Sequence, residues 1–280
     1  MARDPEPDPL EERARALWEL ADYAPVGELL DGASEAAVAA AGISPGMEVL
    51  DVATGTGNAA IRAARAGARV VALDLTPAMI ARARERARAE GLEVEWVEGN
   101  AERLPFPDGR FDAVLSVFGA MLAPRPERVA PELFRVVRPG GAVAMATWPP
   151  EGFSGRLMEL FRRAMPPPPE VPSPLEWGRE DVVRARLGPF AERLDVEKRV
   201  LRWDFPSADA AHEVFERNAV GHVLARQELS RARYAELMAE ARELVRASGR
   251  AGRRFELDSE YLLVVGRAAR PPADGPGSRR

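Results

Sequence analysis

The chain reads as an α/β protein built on a mostly parallel sheet with helices on both faces. Strand-sized apolar segments alternate with helical ones from residue 47 to residue 147. A Gly-x-Gly turn, Gly55-Thr56-Gly57, joins the first strand to the helix that follows it. Two acids, Asp51 and Asp74, sit at the ends of the first two strands, on the edge where open α/β sheets take their ligands.

Before the alternation begins, Glu11 to Leu30 reads as one helical stretch and Ser34 to Ala41 as a second, stopped by Gly42. Met47 to Ala53 is the first strand, Asn58 to Ala66 a helix ended by Gly67, and Arg69 to Asp74 the second strand. Thr76 is placed as an N-cap, Pro77 in the first helical turn and Gly91 at the helix end. Glu93 to Glu98 alternates with period two and makes a third strand; Phe111 to Val117 is a fourth. A helix covers Pro126 to Val137, Arg138-Pro139-Gly140-Gly141 turns, and Ala142 to Thr147 is the fifth strand. Beyond Trp148 the pattern loosens. Phe153 to Met165 is helical, Pro166 to Pro169 a stiff linker, and Asp181 to Leu187 a short helix. Asp195 to Phe205 is a strand, Ser207 to about Ala247 forms one or two helices, and Tyr261 to Gly266 is a closing strand. Residues 1–9 and 268–280, rich in Pro, Gly and charge, are expected to be disordered tails.

Composition removes several functions. There is no cysteine, which excludes disulfides, thiolate nucleophiles and thiolate metal sites, and the two histidines, His212 and His222, show no metal-ligand spacing. No metal is expected. The net charge of −5 gives no global basic surface for nucleic acid. No apolar run reaches the ~18 residues of a membrane span, and the N-terminus lacks a signal-peptide core, so a cytoplasmic, non-membrane protein is expected.

Gly55-Thr56-Gly57, with Ala60, also satisfies the Gly-x-Gly-x-x-Ala form of dinucleotide-binding turns. Asp51, four residues ahead of Gly55, either orders the loop or faces an ammonium group, as an ionised carboxylate there needs a partner. A pyrophosphate gains nothing from a nearby acid, whereas an amino-acid ammonium and a sulfonium do. Asp74 is placed to accept hydrogen bonds from ribose hydroxyls, which supports a nucleoside without choosing between cofactors.

Five motifs in order resemble class I methyltransferases, in particular the branch with ubiquinone/menaquinone C-methyltransferases. They are Val49 to Gly57, Ala72-Leu73-Asp74-Leu75-Thr76-Pro77, Glu98 to Phe106, Phe111-Asp112-Ala113-Val114 and Arg138-Pro139-Gly140-Gly141. The resemblance spans about residues 44–148. It implies a Rossmann-like, seven-stranded, mostly parallel sheet flanked by helices, its last strand antiparallel, with S-adenosyl-L-methionine as cofactor. It further implies that the loop Asp51, Ala53, Thr54, Gly55 and Gly57 holds the methionine part, Asp74 the ribose with Leu75 beside the adenine, and Asn100-Ala101 the adenine edge. Ser116, Val117 and Phe118 would line the cofactor near the methyl group, and Tyr23 would touch it from the N-terminal helix. Many relatives carry Asp where this chain has Asn100; an amide still offers an acceptor to the adenine amine.

On this reading residues 10–150 are the cofactor-binding core, completed by strands near 195–205 and 260–267, and residues 151–256 form a mixed substrate region with a helical lid in the C-terminal half. The partner is a small-molecule methyl acceptor, methylated on O, N or C by in-line displacement; the oligomeric state is not readable. His222 is the candidate base, because Gly221 leaves room beside it, whereas a helical wheel sets His212 and His222 on different faces. Trp148, Trp177 and Phe153 are candidate walls of an apolar acceptor pocket. The Arg-rich stretch from Arg226 to Arg246 interleaves with Glu and reads as a solvated face. Two alternatives stay open: a nicotinamide-dependent oxidoreductase, although Lys198 as the single lysine leaves no Tyr-x-x-x-Lys pair, and a catalytically inactive S-adenosylmethionine-binding regulator.

Overall fold

The continuous apolar runs Val49-Leu50 and Ala113-Val114-Leu115 form the middle of the sheet, because a strand covered on both faces has no polar side to present. The computed structural model of the protein describes residues 8–270, so the disorder expected for residues 1–7 and 271–280 lies outside the described residues. Within the expected tails, Asp8 instead caps the first helix and Ala268 ends a strand.

Three helices precede the sheet: α1 (Pro9–Glu19), α2 (Ala24–Glu28) and α3 (Asp31–Ala41). The single helix expected from Glu11 to Leu30 is thus broken at residues 20–23, and Pro25 takes the opening turn of α2, where its missing N–H costs nothing. Alternation follows: β1 (Glu48–Val52), α4 (Asn58–Arg65), β2 (Arg69–Asp74), α5 (Pro77–Ala89), β3 (Val94–Glu98), β4 (Phe111–Val117), α6 (Pro126–Val136) and β5 (Val137–Thr147). The turn expected at Arg138 to Gly141 is a bulge inside β5. Val137 pairs with Phe111 and Ala142 with Ala113, so four residues loop out over a two-residue step, with Gly140 at φ 78°.

The C-terminal half contains α7 (Phe153–Ala164), α8 (Glu180–Leu187), β6 (Ala191–Phe205), α9 (Ala208–Asn218), α10 (Val220–Glu228), α11 (Arg231–Ser248), β7 (Gly249–Ala251) and β8 (Phe255–Ala268). Three helices stand where one or two were expected, because Ala219 and Leu229 adopt extended backbone between them. The sheet has eight strands rather than seven. Its order is β3-β2-β1-β4-β5-β8-β6, and the additional strand, β7, is a three-residue hairpin arm on β8. β8 is antiparallel to both β5 and β6, as expected of the last long strand, while β1 to β5 pair in parallel. The C-terminal ends of β1, β2 and β4 therefore meet along one edge. Among the described residues no helix is long and apolar enough to cross a membrane.

Candidate active site

The first strand ends in a loop of unusual backbone. Ala53 has φ 54°, a conformation uncommon for a residue with a side chain, and Gly55 and Gly57 have φ 56° and 85°. The Asp51 carboxylate lies beneath this loop, 1% exposed. Its Oδ2 accepts from Thr54 Oγ1 at 2.6 Å and from the Ala60 amide at 2.9 Å, so Asp51 orders the loop. Burial pushes the carboxyl up to about 7 and the nearby Asp74 adds to the rise; the bonds from Thr54 and Ala60 oppose it. Among the described residues neither acid has a basic side chain as a hydrogen-bond partner.

Asp74 ends β2 and is also buried. Its Oδ2 accepts from the Gly55 amide at 2.8 Å and its Oδ1 from the Thr76 amide at 2.9 Å, while burial raises its pKa. Thr76 occupies the cap position of α5 but makes no side-chain capping bond; its amide donates to Asp74. Asn100, just past β3, accepts from the Glu102 amide at 2.8 Å and donates through Nδ2 to Glu11 Oε2 of α1, also at 2.8 Å.

A cleft of about 130 Å³ runs along this edge, with α1 and α2 closing one side. Tyr23, Asp51, Ala53, Thr54, Gly55, Asp74, Leu75, Asn100, Ala101, Val117 and Phe118 line it. Two expected residues do not. Ser116 is turned inward, donating to the Val52 carbonyl at 2.8 Å and accepting from the Ala120 amide at 2.9 Å, which ties β4 to β1. Gly57 faces α5: a Cβ there would meet Ala83 Cβ at 3.0 Å and Trp96 at 3.2 Å. The sequence reading missed Gly27, Leu30, Asn58 and Gly119, all on the cleft wall. Gly119 had a readable signal, a glycine two residues past the fourth strand; a Cβ there would stand 2.2 Å from the Ala53 carbonyl oxygen.

Phe118 has φ 57°, which for a bulky residue is a strained backbone of ~1–3 kcal/mol. The strain is held by a bond from its amide to Ala146 O at 2.9 Å, and it lays the ring on Trp148, with centroids 3.7 Å apart and planes 4° from parallel. Behind this pair opens a second, larger cavity of about 940 Å³. Its wall is mainly apolar, with Leu17 and Trp18 from α1, Leu157 and Phe161 from α7, and Trp203 and Phe215 from the C-terminal half. Pro166, Pro167 and Pro168 of the expected linker also border it. Of the three aromatic residues proposed as walls, Trp148 lines it. Trp177 is buried beside Arg186, and Phe153 packs on Trp203 and Phe215.

His222 does not reach either space. It is buried with its ring 4.1 Å from Phe161; Gly221 beside it does border the larger cavity, but Phe161 stands 3.3 Å from where a Gly221 Cβ would be and covers the imidazole. Burial, then His212 and Arg226, holds it down at about 3, so it is neutral and poorly suited to take a proton. The separation of the two histidines also fails: the break at Ala219 puts them on different helices, with rings 6.2 Å apart. Their four ring nitrogens have no hydrogen-bond partner among the described residues. No group of three or more His, Cys, Asp or Glu able to hold a metal occurs there either.

Comparison with known proteins agrees with this geometry. The family described as "Methyltransferase domain" matches residues 49–141. An uncharacterized protein of Mycobacterium tuberculosis is 42% identical over 207 residues, 73% of this chain and 76% of its own. A demethylmenaquinone methyltransferase of Thermus thermophilus is 43% identical over 123 residues, 42% of this chain and 56% of its own. In structure, phosphoethanolamine N-methyltransferase 2 of Haemonchus contortus, solved with S-adenosyl-L-methionine, superposes with a TM-score of 0.55 at 17% identity, covering 86% of this chain and 53% of its own, a likeness of fold. The chain belongs to the class I S-adenosylmethionine-dependent methyltransferases. It is an enzyme, a methyltransferase.

Proposed function

We propose that the chain methylates a small molecule held in the larger cavity, on an O, N or C atom, with the donor in the cleft. The adjacency of the two spaces carries this reading, since Tyr23, Leu30 and Phe118 line both. The donor set fits S-adenosylmethionine: two buried carboxylates without a basic partner suit an ammonium and ribose hydroxyls, and Gly55 has nothing within 4 Å of a would-be Cβ, which leaves its backbone open to a ligand. The cofactor supplies a methyl group already activated on a sulfonium. In-line displacement then asks the chain to position the acceptor and exclude water, with no nucleophile of its own.

We assign Asp51, Ala53, Thr54 and Gly55 to the methionine end, Asp74 and Leu75 to the ribose and adenine, Asn100 and Ala101 to the adenine edge, and Tyr23, Val117 and Phe118 to the methyl end. His222 has no part in this assignment. The cleft of about 130 Å³ is narrow beside the ~300 Å³ or more of ordinary ligand sites, and an outward shift of α1 would widen it for the donor. α1 has no buried residue; Asp8 just ahead of it pairs with Arg125, and from the helix Glu11 bonds Asn100 and Arg15 pairs with Glu98. Radiolabelled S-adenosylmethionine offered with a panel of phenols, amines and carbon acids tests the proposal. Label transfer to any of them supports it; binding of S-adenosylhomocysteine with no transfer across the panel would favour a regulatory role.

A further inference from the structure

The wall shared by the two spaces consists of Trp18, Tyr23, Leu30, Phe118, Leu122 and Pro124, with two alanines. Its only polar side-chain groups are the Tyr23 hydroxyl and the Trp18 indole N–H. Among the described residues, the charged ones that border the larger cavity are Arg13, Arg162 and Glu228, and none belongs to that shared wall. Arg13 and Glu228 are exposed and Arg162 sits in the last turn of α7. Phe161 screens His222, and through it His212, from the cavity. Glu11, Asp51 and Asp74 line the cleft and not the larger cavity; the reading above gives the two aspartates to the donor, and Glu11 is engaged by Asn100 and Arg15. An acceptor that carried an ionised group to this neck would lose its hydration and find no counter-charge. The surface awaiting it is flat: Phe118 and Trp148, which both line the larger cavity, lie parallel at 3.7 Å. A strained backbone holds Phe118 in this pose, and such strain persists where the surroundings enforce a functional geometry.

We infer that the acceptor is an uncharged, planar, largely apolar molecule whose ring lies against the Phe118–Trp148 pair. This rests on the methyltransferase reading and narrows it to one class of substrate. It also makes Trp148 a specificity-determining residue, since Trp148 borders the larger cavity but not the cleft.

The test is calorimetric titration of the full chain, saturated with S-adenosylhomocysteine, with four probes of similar size: 2-naphthol, 2-naphthoate, 2-naphthylmethylammonium and 1-octanol. The neutral ring is expected to bind about tenfold more tightly than either ion or the flexible alcohol, the scale of one aromatic pairing or one uncompensated charge. Trp148→Leu is expected to remove the preference of naphthol over octanol while leaving S-adenosylhomocysteine affinity unchanged, which also reports that the variant is folded. Equal binding of either ion overturns the uncharged acceptor, and equal binding of octanol overturns the planar one. No binding of 2-naphthol up to its solubility overturns the inference altogether, as does a naphthol preference that survives in Trp148→Leu; should that variant not fold, the four-probe series on the unaltered chain decides. Failure of S-adenosylhomocysteine to bind the unaltered chain is a different result, and sinks the methyltransferase reading itself.

Discussion

Replacing Asp51 with Asn isolates the cost of a buried acid at the base of the cofactor loop. The side chain keeps its shape, and its oxygen can still accept from Thr54 and Ala60. The charge is what is lost. Burial raises Asp51 from 3.8 to about 7. Because the folded value lies above the unfolded one, the native chain holds the extra proton, and stability is greatest below the unfolded value and falls as pH rises toward 7. At ~1.4 kcal/mol per unit, the full penalty above pH 7 is about 4 kcal/mol, an upper bound for a group beside an open cleft. Between about pH 5.5 and 8.5 only the last ~1.5 units apply, so the stability advantage of Asp51→Asn should grow by about 2 kcal/mol over that range. Urea unfolding of both proteins at the two pH values measures it directly. The same acid should release a proton when a cationic ligand settles next to it below pH 7, visible as a buffer-dependent enthalpy of S-adenosylhomocysteine binding that vanishes in Asp51→Asn. An advantage that stays level with pH, or reverses, would refute the argument that desolvation dominates this carboxylate.

Four further outcomes follow from the same geometry. Asp74→Ala should weaken S-adenosylhomocysteine binding by roughly 1–3 kcal/mol in calorimetry; unchanged affinity in a folded variant removes the ribose assignment. His222 is held neutral, with its pKa lowered from 6.5 to about 3, so its contribution to stability is present above pH 6.5 and lost as pH falls toward 3. His222→Leu should therefore raise stability by about 1–3 kcal/mol and flatten the acid limb of the unfolding profile, without changing S-adenosylhomocysteine affinity; a destabilised variant would mean that the ring nitrogens have a partner. Gly57→Ala should cost about 1–3 kcal/mol in urea unfolding, from its left-handed backbone and the crowding by Ala83 and Trp96. Glu11→Ala releases Asn100 and loosens α1, so stopped-flow association of S-adenosylhomocysteine should quicken by about threefold to tenfold, the equivalent of one hydrogen bond; an unaltered rate would show that α1 does not gate entry.

The Rossmann-like half was legible because each of its elements carries its own mark. β2 and β4 occupy the residues read from their apolar runs, and Asp51 and Asp74 come to one edge because parallel strands place all their C-terminal ends together. Inside the loops the reading was weaker. Motif spacing put Gly57 and Ser116 near the cleft, but which way an atom faces depends on α5 and on β1, far away in sequence. The break before α2 had a local sign in Pro25 that the leucine pattern outweighed. The break at Ala219 has none: neither Gly nor Pro marks it, and it is tertiary packing that sets His212 against His222. The larger cavity, proposed to hold the acceptor, was out of reach for the same reason, since its wall draws on α1, α7, the prolines after it and α10 at once.

One pairing in the sheet has a practical consequence. Phe205, the last residue of β6, sits directly opposite Phe255, the first of β8, so the chain leaves the sheet and re-enters it at neighbouring points. The helices α9 to α11 run between those two points, and β7 pairs back onto β8 just before Phe255. Exchanging the whole segment for another with closely spaced ends would leave every long strand and the donor cleft in register. Such grafts should give chimaeras that keep their grip on the methyl donor while one wall of the acceptor chamber is redrawn, which makes this junction a natural seam for engineering new methylation targets.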